Sequence, residues 1–231
     1  MAEAAVKRTP GRGRFISFEG GEGAGKSTQI KMLAENFDAV RLRTIVTREL
    51  GGTPGGEIIG HLVRSGIGRL LGAEAEALLL AAARDEHARA VITPALNQGT
   101  WVLCTGFADA ARACQGRLGK VAPAVLNAME RVTTGDLKPD LTIILDVPAE
   151  VGLQRAAGKR CPGAGETSMG AEDVQFHREV REAYRQIAAS EPERCVLIDA
   201  CADANIVAAD IWAVLRDRFF AGSTSNLAHS A

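Results

Sequence analysis

The chain has 231 residues, of which 46% are hydrophobic and 24% are charged, and its formal net charge is −1 at pH 7. This composition excludes wholesale disorder, and the length is enough for one domain that folds without a disulfide or metal. The balanced charge gives no reason to expect nucleic-acid or membrane binding. The longest apolar run, 77–83, is far shorter than the ~20 residues that span a bilayer.

The cysteines and the ends of the chain indicate the cellular setting. Residues 1–13 carry basic side chains but no apolar stretch, which excludes a secretory signal, and we expect 1–13 and 220–231 to be disordered tails. No two cysteines form a C-x-x-C pair, so reduced thiols in a cytoplasm are favoured over a disulfide frame or a zinc site. The five cysteines are Cys104, Cys114, Cys161, Cys195 and Cys201.

Short apolar runs alternate with segments of helical periodicity. Strands are predicted at 14–19, 40–47, 101–104, 141–147 and 195–199. Helices are predicted at 26–37, 74–96, 122–132, 149–157, 172–190 and 204–219. The alternation predicts one α/β domain over 14–219, a doubly wound parallel sheet of about five strands flanked by helices.

The most specific motif is GGEGAGKS at 20–27, which fits G-x-x-x-x-G-K-[ST]. A chain of this composition would match the pattern by chance only about 0.006 times. Glycines allow a tight turn whose amides point at phosphate, Lys26 reaches the β- and γ-phosphates, and Ser27 offers a hydroxyl to Mg²⁺. The residues predicted to bind the nucleotide here are Gly20, Gly21, Glu22, Gly23, Ala24, Gly25, Lys26, Ser27 and Thr28.

Other segments narrow the class of nucleotide-binding protein. The chain has neither the N-K-x-D nor the D-x-x-G motif of a GTPase. Segment 158–171 is rich in Gly, Ser and Pro and lies between two predicted helices, which favours a lid over a plain surface loop. A small α/β domain with a lid that excludes water indicates a nucleotide kinase.

Several motifs resemble those of bacterial thymidylate (dTMP) kinases. FEGGEGAGKSTQ at 18–29 is similar to the opening of that family, TRELGGTP at 47–54 to T-R-E-P-G-G-[ST], and EALLLAAARDEH at 76–87 to E-x-L-L-F-x-A-x-R-x-x-H. Further similar segments are PDLT at 139–142, GLQR at 152–155, FH at 176–177 and EPER at 191–194. The resemblance runs from about residue 14 to 219 and implies a homodimeric kinase that uses ATP and Mg²⁺ to convert dTMP into dTDP.

The resemblance implies roles for residues around the acceptor nucleotide. Arg48 would bind the acceptor 5′-phosphate, and Glu22 would accept a hydrogen bond from the 3′-hydroxyl. Arg84 and Gln115 would donate to the pyrimidine edge, while Leu80 stands where a phenylalanine usually stacks on the base. A surface arginine, a solvated carboxylate and a helix-face salt bridge remain the alternatives for Arg48, Glu22 and Arg84.

The resemblance also implies roles on the donor side. Arg155 would pack its guanidinium over the adenine. Because the loop at 20–27 contains no arginine, Lys159 and Arg160 in the predicted lid are the candidates to neutralise the transferred phosphoryl group. Ordinary surface charges are the alternative reading of this pair.

The sequence departs from the family pattern after the third predicted strand. Where the family has D-R-[FY], this chain has Thr105, Gly106 and Phe107. The family carboxylate helps to organise Mg²⁺ and the acceptor phosphate, and the family arginine neutralises that phosphate. Asp109, Arg112 and Asp146 are candidates to substitute in part. The hydroxyl of Thr105 forms hydrogen bonds but carries no charge.

These departures leave three hypotheses open. The first is a dTMP kinase with weakened turnover. The second is a kinase for a different or bulkier nucleoside monophosphate, since Leu80, Ala110, Ala111 and Cys114 would enlarge the acceptor pocket. The third is a nucleotide-binding regulator without turnover.

Overall fold

A five-stranded parallel sheet lies at the centre of the protein. The computed structural model describes residues 11–116, 121–158 and 174–220. The strand order is β2-β3-β1-β4-β5, and every neighbouring pair is parallel. The strands are β1 (Phe15–Gly20), β2 (Thr44–Arg48), β3 (Trp101–Thr105), β4 (Leu141–Asp146) and β5 (Cys195–Asp199). The predicted α/β fold with a parallel sheet is confirmed.

Helices cover both faces of this sheet. In chain order they are α1 (Lys26–Ala39), α2 (Pro54–Arg64), α3 (Ile67–Leu70), α4 (Ala73–His87), α5 (Thr93–Asn97), α6 (Ala108–Ala111), α7 (Pro123–Thr133), α8 (Ala149–Ala157), α9 (Val174–Ser190) and α10 (Ala204–Leu215). Three π-helical turns, Ala88–Ile92, Arg112–Gly116 and Arg216–Phe220, extend or join helices.

The burial of the strands explains why the sheet takes its central position. All six residues of β1 are buried, and alternate side chains enter cores on opposite faces. In β4, Ile143 and Leu145 pack on the α1 and α10 side, whereas Ile144 packs against α9. Gly20 pairs with Leu145, so the segment after β1 leaves the carboxyl edge where the strand order reverses.

The second strand and the helix that follows it differ from the prediction. The predicted strand at 40–47 begins only at Thr44, because the chain turns after α1 with Arg41 in a left-handed conformation (φ 55°). Helix α2 was not predicted, since the glycines in it mask its periodicity. Its start signal was present: Thr53 is the N-cap, with its Oγ1 accepting from the Gly56 amide at 3.1 Å, and Pro54 follows at the first helical position.

The inner ends of the two predicted tails are held by the domain. Gly13 is buried and donates its amide to the Leu96 carbonyl at 2.8 Å. Phe220 stacks on Trp101 with ring centroids 5.7 Å apart. The remaining residues of the two predicted tails, 1–10 and 221–231, lie outside the described residues.

The cysteines of the described chain are all free; they are Cys104, Cys114, Cys195 and Cys201, while Cys161 lies outside the described residues. Within the described ranges, no helix has the length and apolar character needed to cross a membrane.

Candidate active site

The loop at 20–27 joins β1 to α1, as the motif predicts. Gly20, Gly23 and Gly25 have φ values of 134°, 66° and 99°, which side chains other than glycine rarely adopt. At Gly23 a Cβ would lie 1.9 Å from the carbonyl oxygen of Gly152 in α8, so glycine is also required by packing. Gly25 caps α1 without a side-chain bond, which leaves the first amides of α1 available to an anion.

Lys26 lies inside this loop. Its Nζ donates to the Gly20 carbonyl at 2.7 Å and to the Gly21 carbonyl at 2.8 Å. Desolvation lowers the pKa of Lys26, and the nearby Glu19 and Glu22 carboxylates oppose that shift. A bound phosphate would therefore compete with two backbone carbonyls for the ammonium group.

A buried carboxylate that the sequence reasoning missed lies directly below the loop. Glu19 is 1% exposed; its Oε1 accepts from the Phe107 amide at 2.8 Å, and its Oε2 accepts from the Tyr184 hydroxyl at 3.1 Å. Burial, followed by the charges of Asp109 and Glu49, raises the pKa of Glu19 well above its usual value. The available signal was a charged residue at the end of an otherwise apolar strand.

The carboxyl ends of β2 and β3 and one face of α1 line an open groove of about 990 Å³. Three residues that the sequence analysis singled out line this groove: Ser27 at the start of α1, Arg48 at the end of β2, and Thr105 at the end of β3. Arg48 is exposed, and its Nη2 donates to Glu57 Oε1 at 3.1 Å. The fold therefore brings a hydroxyl from the phosphate-binding loop and a guanidinium to the same space.

Arg84 and Leu80 lie on the buried face of α4. Arg84 Nε is 2.6 Å from Glu49 Oε1, and both side chains are less than a tenth exposed. The Arg84 guanidinium also lies over the Phe107 ring, 5.9 Å from its centroid. The partner of Arg84 is thus a carboxylate from the segment after β2, not one on its own helix face. The charge of Arg84 is already neutralised before any ligand binds.

Asp109 and Arg112 do not line the groove beside Arg48. Asp109 is 2% exposed and pairs with Arg112 and Arg194 at 2.9 and 2.7 Å, while Arg112 also reaches Glu191 at 2.5 Å. Burial opposes the charge of Asp109, but these arginines outweigh it and lower the pKa of the carboxyl. The structure thus places Asp109 and Arg112 in an ion network toward the amino ends of β4 and β5, through Thr142 and Arg194. Asp146, the third candidate, pairs with two arginines of α9.

The π-helical turn that carries Gln115 and the helix α8 that carries Arg155 both lie near the phosphate-binding loop. Gln115 follows Cys114, whose thiol interacts with the charges of Glu19 and Lys26 and whose pKa is raised to about 12 by burial. Arg155 lies one turn beyond Gly152, the residue that contacts Gly23. Its Nη1 donates to the Ala200 carbonyl at 2.7 Å.

The predicted lid is described only at its first residue. Gly158 caps the carboxyl end of α8, and the rest of 158–171, which includes Lys159 and Arg160, lies outside the described residues. Among the residues that are described, no three side chains of His, Cys, Asp or Glu come together as a metal site.

The glycine-rich loop between β1 and α1, on a parallel sheet with this strand order, defines a P-loop nucleotide-binding protein. A sequence profile described as thymidylate kinase matches residues 18–211. The thymidylate kinase of Nitrobacter winogradskyi is 63% identical over 231 residues, the whole of both chains. The protein belongs to the thymidylate kinase family.

Further relatives agree in sequence and in structure. The thymidylate kinase of Bradyrhizobium sp. strain ORS 278 is 64% identical over 220 residues, which are 95% of this chain and 97% of the relative. The crystal structure of thymidylate kinase from Ehrlichia chaffeensis superposes with a TM-score of 0.71 at 29% identity and covers 89% of this chain and 99% of that one.

Proposed function

We propose that this protein transfers the γ-phosphoryl group of ATP to the 5′-phosphate of dTMP, forming dTDP and ADP. The observation that carries the proposal is the shared groove, where Ser27 of the phosphate-binding loop and Arg48 at the end of β2 line one space. A bond between the acceptor phosphate oxygen and the γ-phosphorus forms as the bond between that phosphorus and the leaving oxygen of ADP breaks. Position and charge neutralisation are the contributions required of the protein.

On the donor side, the loop amides and the amino end of α1 bind the phosphates, and Lys26 exchanges its two carbonyl acceptors for phosphate oxygens. The exposed Ser27 hydroxyl and the Thr105 hydroxyl supply the oxygen donors that suit Mg²⁺, which neutralises phosphate charge when bound. Arg155 supports the adenine, and Lys159 and Arg160 supply further positive charge to the transferred group.

On the acceptor side, Arg48 binds the 5′-phosphate. To bind it through both Nη1 and Nη2, Arg48 must give up its hydrogen bond to Glu57. Glu22 accepts from the 3′-hydroxyl. Arg84, Gln115 and Leu80 form the side of the site that faces the pyrimidine.

The alternative of a bulkier acceptor gains no support from the described cavities. Of the four residues behind that alternative, Ala111 lines a cavity beside Arg84 and Ala108, and this cavity is only about 10 Å³. The regulatory alternative gains none from the three relatives named above, which are described as thymidylate kinases.

We also propose a homodimer in which α2, α3 and α4 form the interface. Ile58, Leu70, Leu71 and Leu78 in this region are 65%, 84%, 64% and 56% exposed. Sedimentation equilibrium should give twice the chain mass, and Leu70→Glu should shift the population toward monomer. A wild-type monomer at micromolar concentration would refute this arrangement.

A coupled assay of ADP release tests the proposed reaction. We expect release that depends on added dTMP, with less or none for dUMP and the purine monophosphates. Release with another monophosphate instead would move the assignment to that substrate. Binding of Mg·ATP in equilibrium dialysis without any acceptor-dependent release would establish the regulatory alternative.

A further inference from the structure

The side chain of Glu86, at the end of α4, reaches across to the segment that begins α2. Its Oε2 accepts from Thr53 Oγ1 at 2.8 Å and from the Gly56 amide at 3.1 Å, and its Oε1 accepts from the Gly55 amide at 3.4 Å. A Cβ on Gly55 would lie only 2.2 Å from Glu86 Oε2. Glycine at this position therefore allows the carboxylate to lie directly against the backbone.

These bonds make Glu86 a second cap of α2, supplied by another helix. The first amides of an 11-residue helix have no partner within it, and the positive end of its dipole attracts a carboxylate. Thr53 satisfies the Gly56 amide from within the segment, and Glu86 adds acceptors for Gly55, Gly56 and the Thr53 hydroxyl. The start of α2 is thus fixed to α4.

Arg48 depends on the same segment for its position. Its Nη2 donates to Glu57 Oε1 in the first turn of α2. The guanidinium also lies against Gly51, where a Cβ would be 2.4 Å from Arg48 Nε. Both supports of Arg48 therefore lie in 51–57, the stretch that Glu86 holds at residues 53, 55 and 56.

Two other residues at the end of α4 keep the neighbouring backbone in place. Arg84 pairs with Glu49, and His87 Nε2 lies 2.7 Å from Thr47 Oγ1. Burial lowers the pKa of His87 to about 4, so this ring is neutral at physiological pH. Because these contacts do not involve Glu86, loss of its carboxylate should misdirect Arg48 without unfolding the segment.

We propose that Glu86 is a positioning residue that aims Arg48 at the 5′-phosphate of the acceptor. The inference rests on the proposed function, in which Arg48 binds that phosphate. Glu86 touches no substrate. It fixes the amino end of α2, and α2 in turn supports the guanidinium through Glu57.

The test compares Glu86→Ala and Glu86→Gln with a matched control on the same helix. The control is Asp85→Asn, because Asp85 pairs with Arg89 on the exposed side of α4 at 2.8 Å and makes no bond to 51–57. Calorimetry gives the affinities for dTMP and for thymidine, which lacks the phosphate. We expect Glu86→Ala to weaken the binding of dTMP about tenfold, which corresponds to the loss of roughly one helix cap. The binding of thymidine should change little.

Three further readouts separate positioning from a general structural role. The KM for ATP should stay unchanged in Glu86→Ala, and Glu86→Gln, which keeps one acceptor oxygen, should recover most of the dTMP affinity. In an Arg48→Ala background the effect of Glu86→Ala should disappear. Equal losses for dTMP, thymidine and ATP, or full additivity with Arg48→Ala, would overturn the inference.

A wild-type protein that binds no dTMP would refute the proposed function and not this contact. Amide hydrogen exchange over 48–57 then tests Glu86 alone. Protection should fall in Glu86→Ala and stay at the wild-type level in Asp85→Asn. Unchanged protection in Glu86→Ala would contradict the role of Glu86.

Discussion

The donor and acceptor sides of the groove differ in the kind of chemical group that binds the ligand. The donor side is mainly backbone: the φ values of Gly20, Gly23 and Gly25 set its shape, and free amides at the start of α1 supply its binding groups. The acceptor side is made of side chains from separate elements, and its arginines already have carboxylate partners. Arg48 pairs with Glu57, and Arg84 pairs with Glu49.

This difference governs what each side requires of a ligand. An anion at the donor side meets amides that need no rearrangement, and only Lys26 must change partners. At the acceptor side, a phosphate must compete with Glu57 for Arg48. A ligand that forms a polar contact with Arg84 does so while Arg84 stays paired with Glu49. Acceptor binding is therefore the more sensitive to single substitutions.

The largest effect is expected where the buried pair on the acceptor side is broken. Arg84→Met leaves the Glu49 carboxylate buried without a partner, which should lower the free energy of unfolding by about 3–5 kcal/mol. Urea denaturation measures this. The control Arg89→Met removes an exposed arginine from the π-helical turn that follows α4 and should leave stability nearly unchanged.

A second substitution sharpens this result. Adding Glu49→Gln to Arg84→Met removes the unpaired charge and should recover much of the lost stability. Equal stability of Arg84→Met and the wild type would show that the pair does not hold the acceptor side together.

On the donor side, Lys26→Ala should reduce kcat about 10²–10³-fold, because the transferred phosphoryl group loses its closest fixed cation in the transition state. Steady-state ADP release measures the effect. Lys138→Ala is the control: this exposed lysine precedes β4, at the opposite edge of the sheet. If Lys26→Ala retained wild-type turnover, the loop would not be the donor site.

The two sides also differ in how far the sequence predicts them. The strand, loop and helix over 15–39 follow from one motif, because backbone conformation there depends on the glycines themselves. Arg84 was expected to donate to the pyrimidine edge, with a salt bridge on its own helix face as the alternative. Its partner is Glu49 from another element, and pairing of this kind depends on packing rather than spacing. Glu86 carried no sequence signal, because its contacts exist only once α4 packs beside α2.

A smaller effect, this time a gain in catalytic rate, is expected when the family residues after β3 are restored. Thr105→Asp with Gly106→Arg should raise the rate of dTMP phosphorylation about tenfold, since one charged transition-state contact is worth at least that. A Cβ at Gly106 has room, with Glu49 Oε2 nearest at 3.9 Å. The φ of 73° should cost about 1–2 kcal/mol of stability in the arginine variant.

Rate and melting temperature of the single and double variants separate these contributions. Thr105→Asp alone should leave stability close to the wild-type value, because it introduces no left-handed side chain. A double variant with no gain in rate would show that the acceptor side is arranged for another means of neutralising the phosphate.

A change in the pH dependence of stability is expected at Glu19, where the two sides meet below the loop. Its pKa is raised in the folded protein, chiefly by burial, so the folded state binds a proton more tightly than the unfolded chain does. The stability that Glu19 contributes is therefore fully present below its pKa in the unfolded chain, about 4.3, and it is lost as the pH rises through its pKa in the folded protein. Glu49, whose pKa is also raised by burial, contributes in the same direction.

Glu19→Gln removes the larger of these two shifts and should flatten the fall in stability from pH 5 to pH 8. Each unit of pKa shift removed is worth about 1.4 kcal/mol at the upper end of that range. Urea denaturation at a series of pH values measures the slope. Tyr184→Phe is the matched control, because it removes the hydroxyl that donates to Glu19 but keeps the carboxyl group, so its slope should stay at least as steep as that of the wild type. Equal slopes for Glu19→Gln and the wild type would mean that folding does not raise the pKa of Glu19.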